Sequence, residues 1–194
     1  MSLLNKNLFL VKEHIGLFKA SNNFDIFDPE DGTPLMECRE PNLFWLTKLL
    51  RFTDAKRFTP FDIQIRTVSG ERMVRVVRGL SLLLSKVEVR DANNELVGYF
   101  SQKLFSIGGR FDVLDKEENV ICTLEGTWMA WNFYFKQGDT TLAHVTKKWK
   151  GLGAEMFTSA DNYVLEINPE VPQNSDIRKL ILAAVMCIDM VLKE

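Results

Sequence analysis

Apolar and polar residues alternate along Phe61-Asp62-Ile63-Gln64-Ile65-Arg66, Ser69-Gly70 interrupts, and an apolar segment resumes from Met73 to Val77. Period-two alternation broken by a turn pair is the pattern of a hairpin with one buried face. The same unit recurs at Phe24 to Cys38 around Asp31-Gly32, at Val87 to Phe100 around Asp91 to Asn94, at Phe111 to Leu124 around Lys116 to Asn119, and at Phe133 to Val145 around Gln137-Gly138-Asp139. Units starting at positions 61, 87, 111 and 133 are 26, 24 and 22 residues apart, each interval long enough for two strands and a turn. Hairpins in series leave open edges and one apolar face, and closure of the sheet on itself resolves both. A single closed or nearly closed sheet is therefore expected. A two-sheet sandwich is the alternative, because alternation identifies a buried face without fixing how the sheet curves.

The rhythm changes after Pro169-Glu170-Val171-Pro172, where Asn174 or Ser175 can cap a helix starting at Asp176. Ile177, Leu180, Ile181, Ala184, Val185, Ile188 and Leu192 make one broad apolar surface, and Leu182, Ala183, Met186, Cys187 and Met190 carry it almost round the axis. A helix apolar on all sides needs protein or membrane around it. Residues 177 to 192 span about 24 Å at 1.5 Å per residue, short of the roughly 30 Å hydrocarbon core of a bilayer. A surrounding sheet fits that length better, and the helix would fill a barrel otherwise too wide to pack. Asp189 is then expected near a barrel mouth or beside a polar partner. The stretch from Pro41 to Pro60, rich in Phe, Trp and Leu beside Lys48, Arg51, Lys56 and Arg57, reads as a short helix or a long connection between hairpins.

Composition narrows the function classes. The chain of 194 residues is 46% apolar, which is enough for one globular domain over 1–194 with the central helix at 176–192. A formal charge of -2 excludes a globally cationic nucleic-acid glove. Cys38, Cys122 and Cys187 lack a paired framework and read as core thiols in a reducing, cytoplasmic setting. The N-terminus lacks the long apolar stretch of an export signal. His14 and His144 stand alone, so no zinc cage is indicated. Asp28, Asp31, Asp91, Asp112, Asp115 and Asp139 lack EF-hand spacing and are expected to end strands or brace turns rather than bind calcium. Nucleophile elbow, P-loop and Rossmann fingerprints are all missing, which points away from an enzyme and from any cofactor.

The order of Asn23-Phe24-Asp25-Ile26-Phe27-Asp28, Pro60 to Ile65, Val87-Glu88-Val89-Arg90-Asp91, Lys148-Trp149-Lys150-Gly151, Glu155 to Tyr163 and the terminal apolar helix ending Ile188-Asp189-Met190 resembles the phospholipid scramblase family. That family lies within the group similar to the Tubby C-terminal domain and the plant LURP-one-related proteins. The resemblance covers nearly the whole chain and implies an all-β fold with a central helix: a barrel of about twelve strands enclosing the C-terminal helix. It also implies a link to bilayer lipids, and the compact size resembles bacterial members. The chain lacks the proline-rich extension and the palmitoylatable cysteine cluster of animal scramblases, which separates the expected headgroup binding from lipid transport.

The binding candidates are Arg51, Lys56 and Arg57 with Arg66, Arg72, Arg75 and Arg78, because guanidinium forks match phosphate oxygens. Lys147, Lys148 and Lys150 around Trp149 form a second group, in which Trp149 either anchors at an interface or packs with Phe157 and Tyr163. The expected partner is an anionic phospholipid at the inner face of a membrane, met peripherally. A protein-binding scaffold without a lipid role and lipid scrambling itself are the alternatives, and nucleic acid is not an expected partner.

Overall fold

The computed structural model describes residues 3–14, 23–41, 59–79, 86–102, 110–127, 131–147 and 162–191, apart from the side chains of 102, 187 and 189–191. After a 3-10 turn at Leu3–Asn5 come twelve strands: β1 (Leu8–Glu13), β2 (Phe24–Phe27), β3 (Pro34–Arg39), β4 (Phe61–Thr67), β5 (Arg72–Arg78), β6 (Lys86–Asp91), β7 (Leu96–Gln102), β8 (Phe111–Asp115), β9 (Val120–Thr127), β10 (Asn132–Gln137), β11 (Thr140–Thr146) and β12 (Asn162–Ile167). Helix α1 (Asp176–Val191) follows. Every strand pairs antiparallel with its sequence neighbours, and β1 pairs with β12, so the sheet closes and the sandwich alternative falls. All five expected hairpins are present as β2–β3, β4–β5, β6–β7, β8–β9 and β10–β11.

Each of those five hairpins has a register shift close to its turn, between Ile26 and Phe27, Ile65 and Arg66, Val89 and Arg90, Val113 and Leu114, and Phe135 and Lys136. A bulge bends its strand and increases local twist, so five at equivalent heights curl the sheet towards closure. Three of the turns are copies of one design at a spacing of 24 residues, at Thr67, Asp91 and Asp115. In each, the side-chain oxygen of that residue accepts the backbone N–H four residues on, from Glu71 at 3.1 Å, Glu95 at 3.0 Å and Asn119 at 2.8 Å. The residue three positions on is left-handed: Gly70, Asn94 and Glu118, with φ of 90°, 68° and 67°. Asp28 and Asp31 likewise accept turn N–H groups, from Glu30 and Thr33. Asp112 instead lies within β8.

Strict alternation puts Phe61, Ile63, Ile65, Val74, Val76, Val87 and Val89 inside the barrel. There they meet α1, in which Leu180 to Met186 and Ile188 are all 2% exposed or less. A helix buried on every side is thus the core of the sheet that surrounds it. The side-chain cap expected from Asn174 or Ser175 is not made. Ser175 Oγ donates back to the Pro172 carbonyl at 2.6 Å, and Asn174 is left-handed with its N–H on Asn5 Oδ1 at 2.8 Å. The helix start is instead held by Arg178. The side chains of Cys187 and Asp189 and the stretch 42–58 lie outside the described residues.

An even number of antiparallel strands gives the barrel two unlike rims. At the first, strand ends are joined by connections ranging from the two residues between Gln137 and Thr140 to the eight between Ile167 and Asp176. At the second they range from the four residues between Thr127 and Asn132 to the 21 residues between Arg39 and Phe61. Helix α1 enters at the first rim, and its 16 residues rise about 24 Å towards the second.

Candidate functional site

The outer wall of β3 to β6 carries the arginines. Alternation turns Asp62, Gln64 and Arg66 of β4 outward, with Arg75 of β5 opposite Gln64 and Arg90 of β6 opposite Arg75. Arg39 of β3 completes that row beside Gln64, and in the next row Arg66 has Glu37 on one side and Arg72 on the other. Most of this positive charge is neutralised in place. Arg39 pairs with Asp25 at 2.6 Å and Glu37 at 3.2 Å, and Arg90 with Glu88 at 2.8 Å. Arg75 makes a two-pronged bond to Asp62, both contacts at 2.8 Å, and donates to Asn94 Oδ1 at 2.9 Å. The Asp62 hydrogen bond also holds the Arg75 guanidinium above its ordinary pKa.

Arg66 and Arg72 differ. Arg66 donates to Gln64 Oε1 at 2.6 Å and 3.2 Å, and Arg72 to the Ala92 carbonyl at 2.7 Å and 3.2 Å. Their acceptors are neutral, so neither guanidinium is paired with a carboxylate in these bonds. Arg78 leaves the set of surface candidates. It faces inward, is 3% exposed, donates to the Thr59 carbonyl at 2.7 Å and lies 4.6 Å from the Phe61 ring centroid. The whole length of β5, about 20 Å, separates it from Arg72, because six strand steps of about 3.3 Å lie between them. The four arginines of this hairpin therefore do not converge.

At the second rim Lys147 sits with Nζ 3.7 Å from the Trp131 ring centroid. Trp131 stacks on Tyr163 at 6.0 Å and meets the Phe133 ring edge-on at 6.0 Å. Its φ of 47° is unusual for so bulky a residue. Of the second group of candidates this places Lys147, with Trp131 as the aromatic beneath it. Arg51, Lys56, Arg57, Lys148 and Lys150, with Trp149, lie outside the described residues. Lys147 directly follows β11, six strands round the barrel from Arg75 on β5, so it lies apart from the wall arginines.

Sequence reading passed over Arg178. It is 1% exposed, and its guanidinium donates to the carbonyls of Val171 at 2.9 Å, Lys6 at 3.0 Å, Pro172 at 3.2 Å and Leu4 at 3.4 Å, and to Asn7 Oδ1 at 2.8 Å. No carboxylate offsets the charge in this set, and burial lowers its pKa. The signal available was a cation, Arg178, set between Ile177 and Leu180 in the first turn of a helix that is otherwise largely apolar, beside Lys179 which pairs with Asp176. Its work is structural: it ties the N-terminal turn to the start of α1.

Burial pushes the Cys122 thiol up to about 12, leaving it protonated. Cys38 is buried as well. Among the described residues no group of three or more His, Cys, Asp or Glu could hold a metal ion. A recess of about 280 Å³ between Leu142, Asn168, Val171 and Ile177 and another of about 330 Å³ between Arg110, Ile121, Glu125 and Lys136 are at or below the lower end of ligand-pocket sizes. No described helix is long and apolar enough to cross a membrane.

Comparison with known proteins accords with this geometry. A protein from Arabidopsis thaliana, solved by X-ray crystallography, superposes with a TM-score of 0.50 over 93% of this chain and 90% of its own, at 18% identity, which shows a shared fold. That relative is a plant protein, so it lends no support to a bacterial source. No curated protein is significantly similar in sequence. The family model described as Scramblase matches residues 9–194, from β1 through α1, and the chain belongs to the scramblase family.

Proposed function

We propose that this protein is a non-enzymatic scramblase-family barrel that associates peripherally with anionic phospholipid headgroups, at the cytoplasmic face of a membrane. Family membership supplies the lipid connection, and one observation carries the reading to this chain: Lys147 held over Trp131 at a barrel rim. A cation beside an indole suits the headgroup layer, where a ring can rest among apolar atoms while the ammonium meets phosphate. Arg66 and Arg72, whose acceptors are neutral, can add to the attraction, and Arg51, Lys56, Arg57, Lys148 and Lys150 belong to the same proposal by sequence. Arg75 contributes only by releasing Asp62, and Arg78 does not contribute.

The test is co-sedimentation of the full chain with vesicles of phosphatidylcholine alone and of phosphatidylcholine mixed with phosphatidylserine. Binding to the mixed vesicles only, weakening as salt rises, is the expected result. Equal binding to both, or to neither, overturns the reading, and a co-purifying protein partner together with unbound vesicles would favour the scaffold alternative. Movement of labelled lipid between leaflets is a separate activity, and the family match is what favours testing it in the same vesicles.

A further inference from the structure

Independently of the membrane-surface reading, we infer that Arg66 and Arg72, at the base of the turn between β4 and β5, form a binding site for a phosphomonoester dianion. The two are register partners on adjacent strands. Like charges set directly opposite each other in a sheet destabilise it, so the pairing needs a reason. Arg39, Arg75 and Arg90 on the same wall each lie against a carboxylate. Arg66 and Arg72 donate to neutral oxygens only. Glu37, beside Arg66 on β3, is held by Arg39 at 3.2 Å.

The barrel holds its own controls. The hairpins that turn at Thr67, Asp91 and Asp115 share one turn design and one bulge, and the residues paired at its base are Arg66 with Arg72, Arg90 with Leu96, and Leu114 with Val120. Leucine and valine stand at that place as readily as arginine, so the fold does not require cations there. The turn acceptor differs in the same copy: it is a carboxylate at Asp91 and Asp115 but a hydroxyl at Thr67. The copy with two arginines is thus the copy without the aspartate. A carboxylate at position 67 would have provided the counter-charge and kept other anions out; with threonine there, the counter-charge has to come from outside the chain.

Both guanidiniums keep donors in reserve. Arg66 uses Nε and Nη2 on Gln64 Oε1, and Arg72 uses the same two atoms on the Ala92 carbonyl, so Nη1 of each has no protein acceptor among the described residues. The two heads are drawn to different elements, β4 and the turn after β6, which separates their charges. Binding exchanges two neutral acceptors for one shared oxyanion, and charge on both partners makes such bonds shorter and stronger. The exposed Ser69 Oγ lies 2.7 Å from Thr67 Oγ1, from which it can accept a proton while donating its own outward. Two guanidiniums and a hydroxyl match the three oxygens and nearly double charge of a phosphomonoester at neutral pH, whereas a phosphodiester carries a single charge. The monoester can be a soluble molecule or a lipid headgroup, since the recognition chemistry is the same.

Titration calorimetry of the full chain with glycerol 3-phosphate in chloride buffer tests the site, and co-sedimentation with vesicles of phosphatidylcholine and phosphatidic acid identifies the source of the monoester. Saturable binding of glycerol 3-phosphate is expected, weakened at least about tenfold by Arg66→Gln or Arg72→Gln. Lys116→Gln, which removes the same charge from the sister turn after β8, is expected to change it less than about twofold. Without phosphate, both arginine variants are expected to melt no lower than the unsubstituted chain, because either substitution ends the repulsion. A parallel loss of binding to the phosphatidic acid vesicles supports the site with a lipid headgroup as its ligand, and unchanged vesicle binding supports it with a soluble ester. Absence of saturable glycerol 3-phosphate binding, or binding that both arginine variants retain, overturns the inference. So does a fall in melting temperature of more than about 5 °C in either variant, which would show that the fold itself needs the pair. Binding to phosphatidylserine vesicles is read separately, so the membrane reading stands or falls on its own test.

Discussion

The two rims of the barrel are built on different terms. At the first, short connections repeat a single solution: an acceptor side chain at Thr67, Asp91 or Asp115, a left-handed residue three positions later, and a bulge just before the turn. Arg178 closes the same end by gathering carbonyls from both termini of the chain. At the second rim the strand ends are joined by longer, basic and tryptophan-rich sequence, and Trp131 holds an uncommon backbone conformation beneath Lys147. The described latches and turn bonds gather where the connections are short, and the proposed lipid contact, Lys147 over Trp131, lies at the other end, as is usual when a rigid scaffold presents its loops. Variants at the first rim should therefore change stability and leave vesicle binding nearly unchanged, and those at the second should do the reverse.

The largest effect is expected from Arg178→Ala, which takes away the guanidinium that the Val171 and Lys6 carbonyls accept from and should lower stability by about 3 to 5 kcal/mol in denaturant titration. Arg178→Lys should recover little, because an ammonium cannot span the same fan of acceptors. A loss below about 1 kcal/mol would show that the latch does not hold the first rim. Next comes Gly98→Ala on β7, where a Cβ would overlap the Leu114 carbonyl oxygen and press on the Leu180 side chain. This is where the helix approaches the wall, and a cost of about 2 to 3 kcal/mol is expected. An unchanged melting temperature would mean that helix and wall are less closely fitted.

Smaller changes sharpen the turn design. Asp115→Ala removes the acceptor for the Asn119 N–H and should cost about 1 kcal/mol. Glu118→Gly relieves a left-handed glutamate in the same turn and should gain up to about 1 kcal/mol, less the exposed ion pair with Lys86. Opposite signs from two substitutions three residues apart would establish that backbone geometry, rather than acidity, explains why these turns are built as they are.

Much of this architecture was legible in the sequence because its wall obeys a simple rule. β4 alternates without exception, and so the hairpin from Phe61 to Val77 could be read directly. The strands that close the barrel were harder. β1 buries Phe9, Leu10 and Val11 in a row, and β12 buries Asn162 to Leu165 without a break, so neither shows the period of two. The candidate site was legible only in part, for a different reason. Charge type can be read from sequence, but Arg75 and Arg78 are disposed of by Asp62 and by burial, neither of which local spacing reveals. Arg178 was hidden because some of its acceptors are backbone carbonyls more than 170 residues away. Trp131 was hidden because its partners Tyr163 and Lys147 come from β12 and from the residue that follows β11.

The claim on which both the fold and the proposed function rest is that α1 is the packed centre of the barrel and stays there at a membrane. Amide hydrogen exchange measures this most directly. With and without anionic vesicles, the amides of Leu180 to Ile188 should exchange as slowly as the most protected strand amides, at the rate set by global unfolding. Faster exchange of this helix while the strands remain protected, or its release when vesicles are added, would contradict the account.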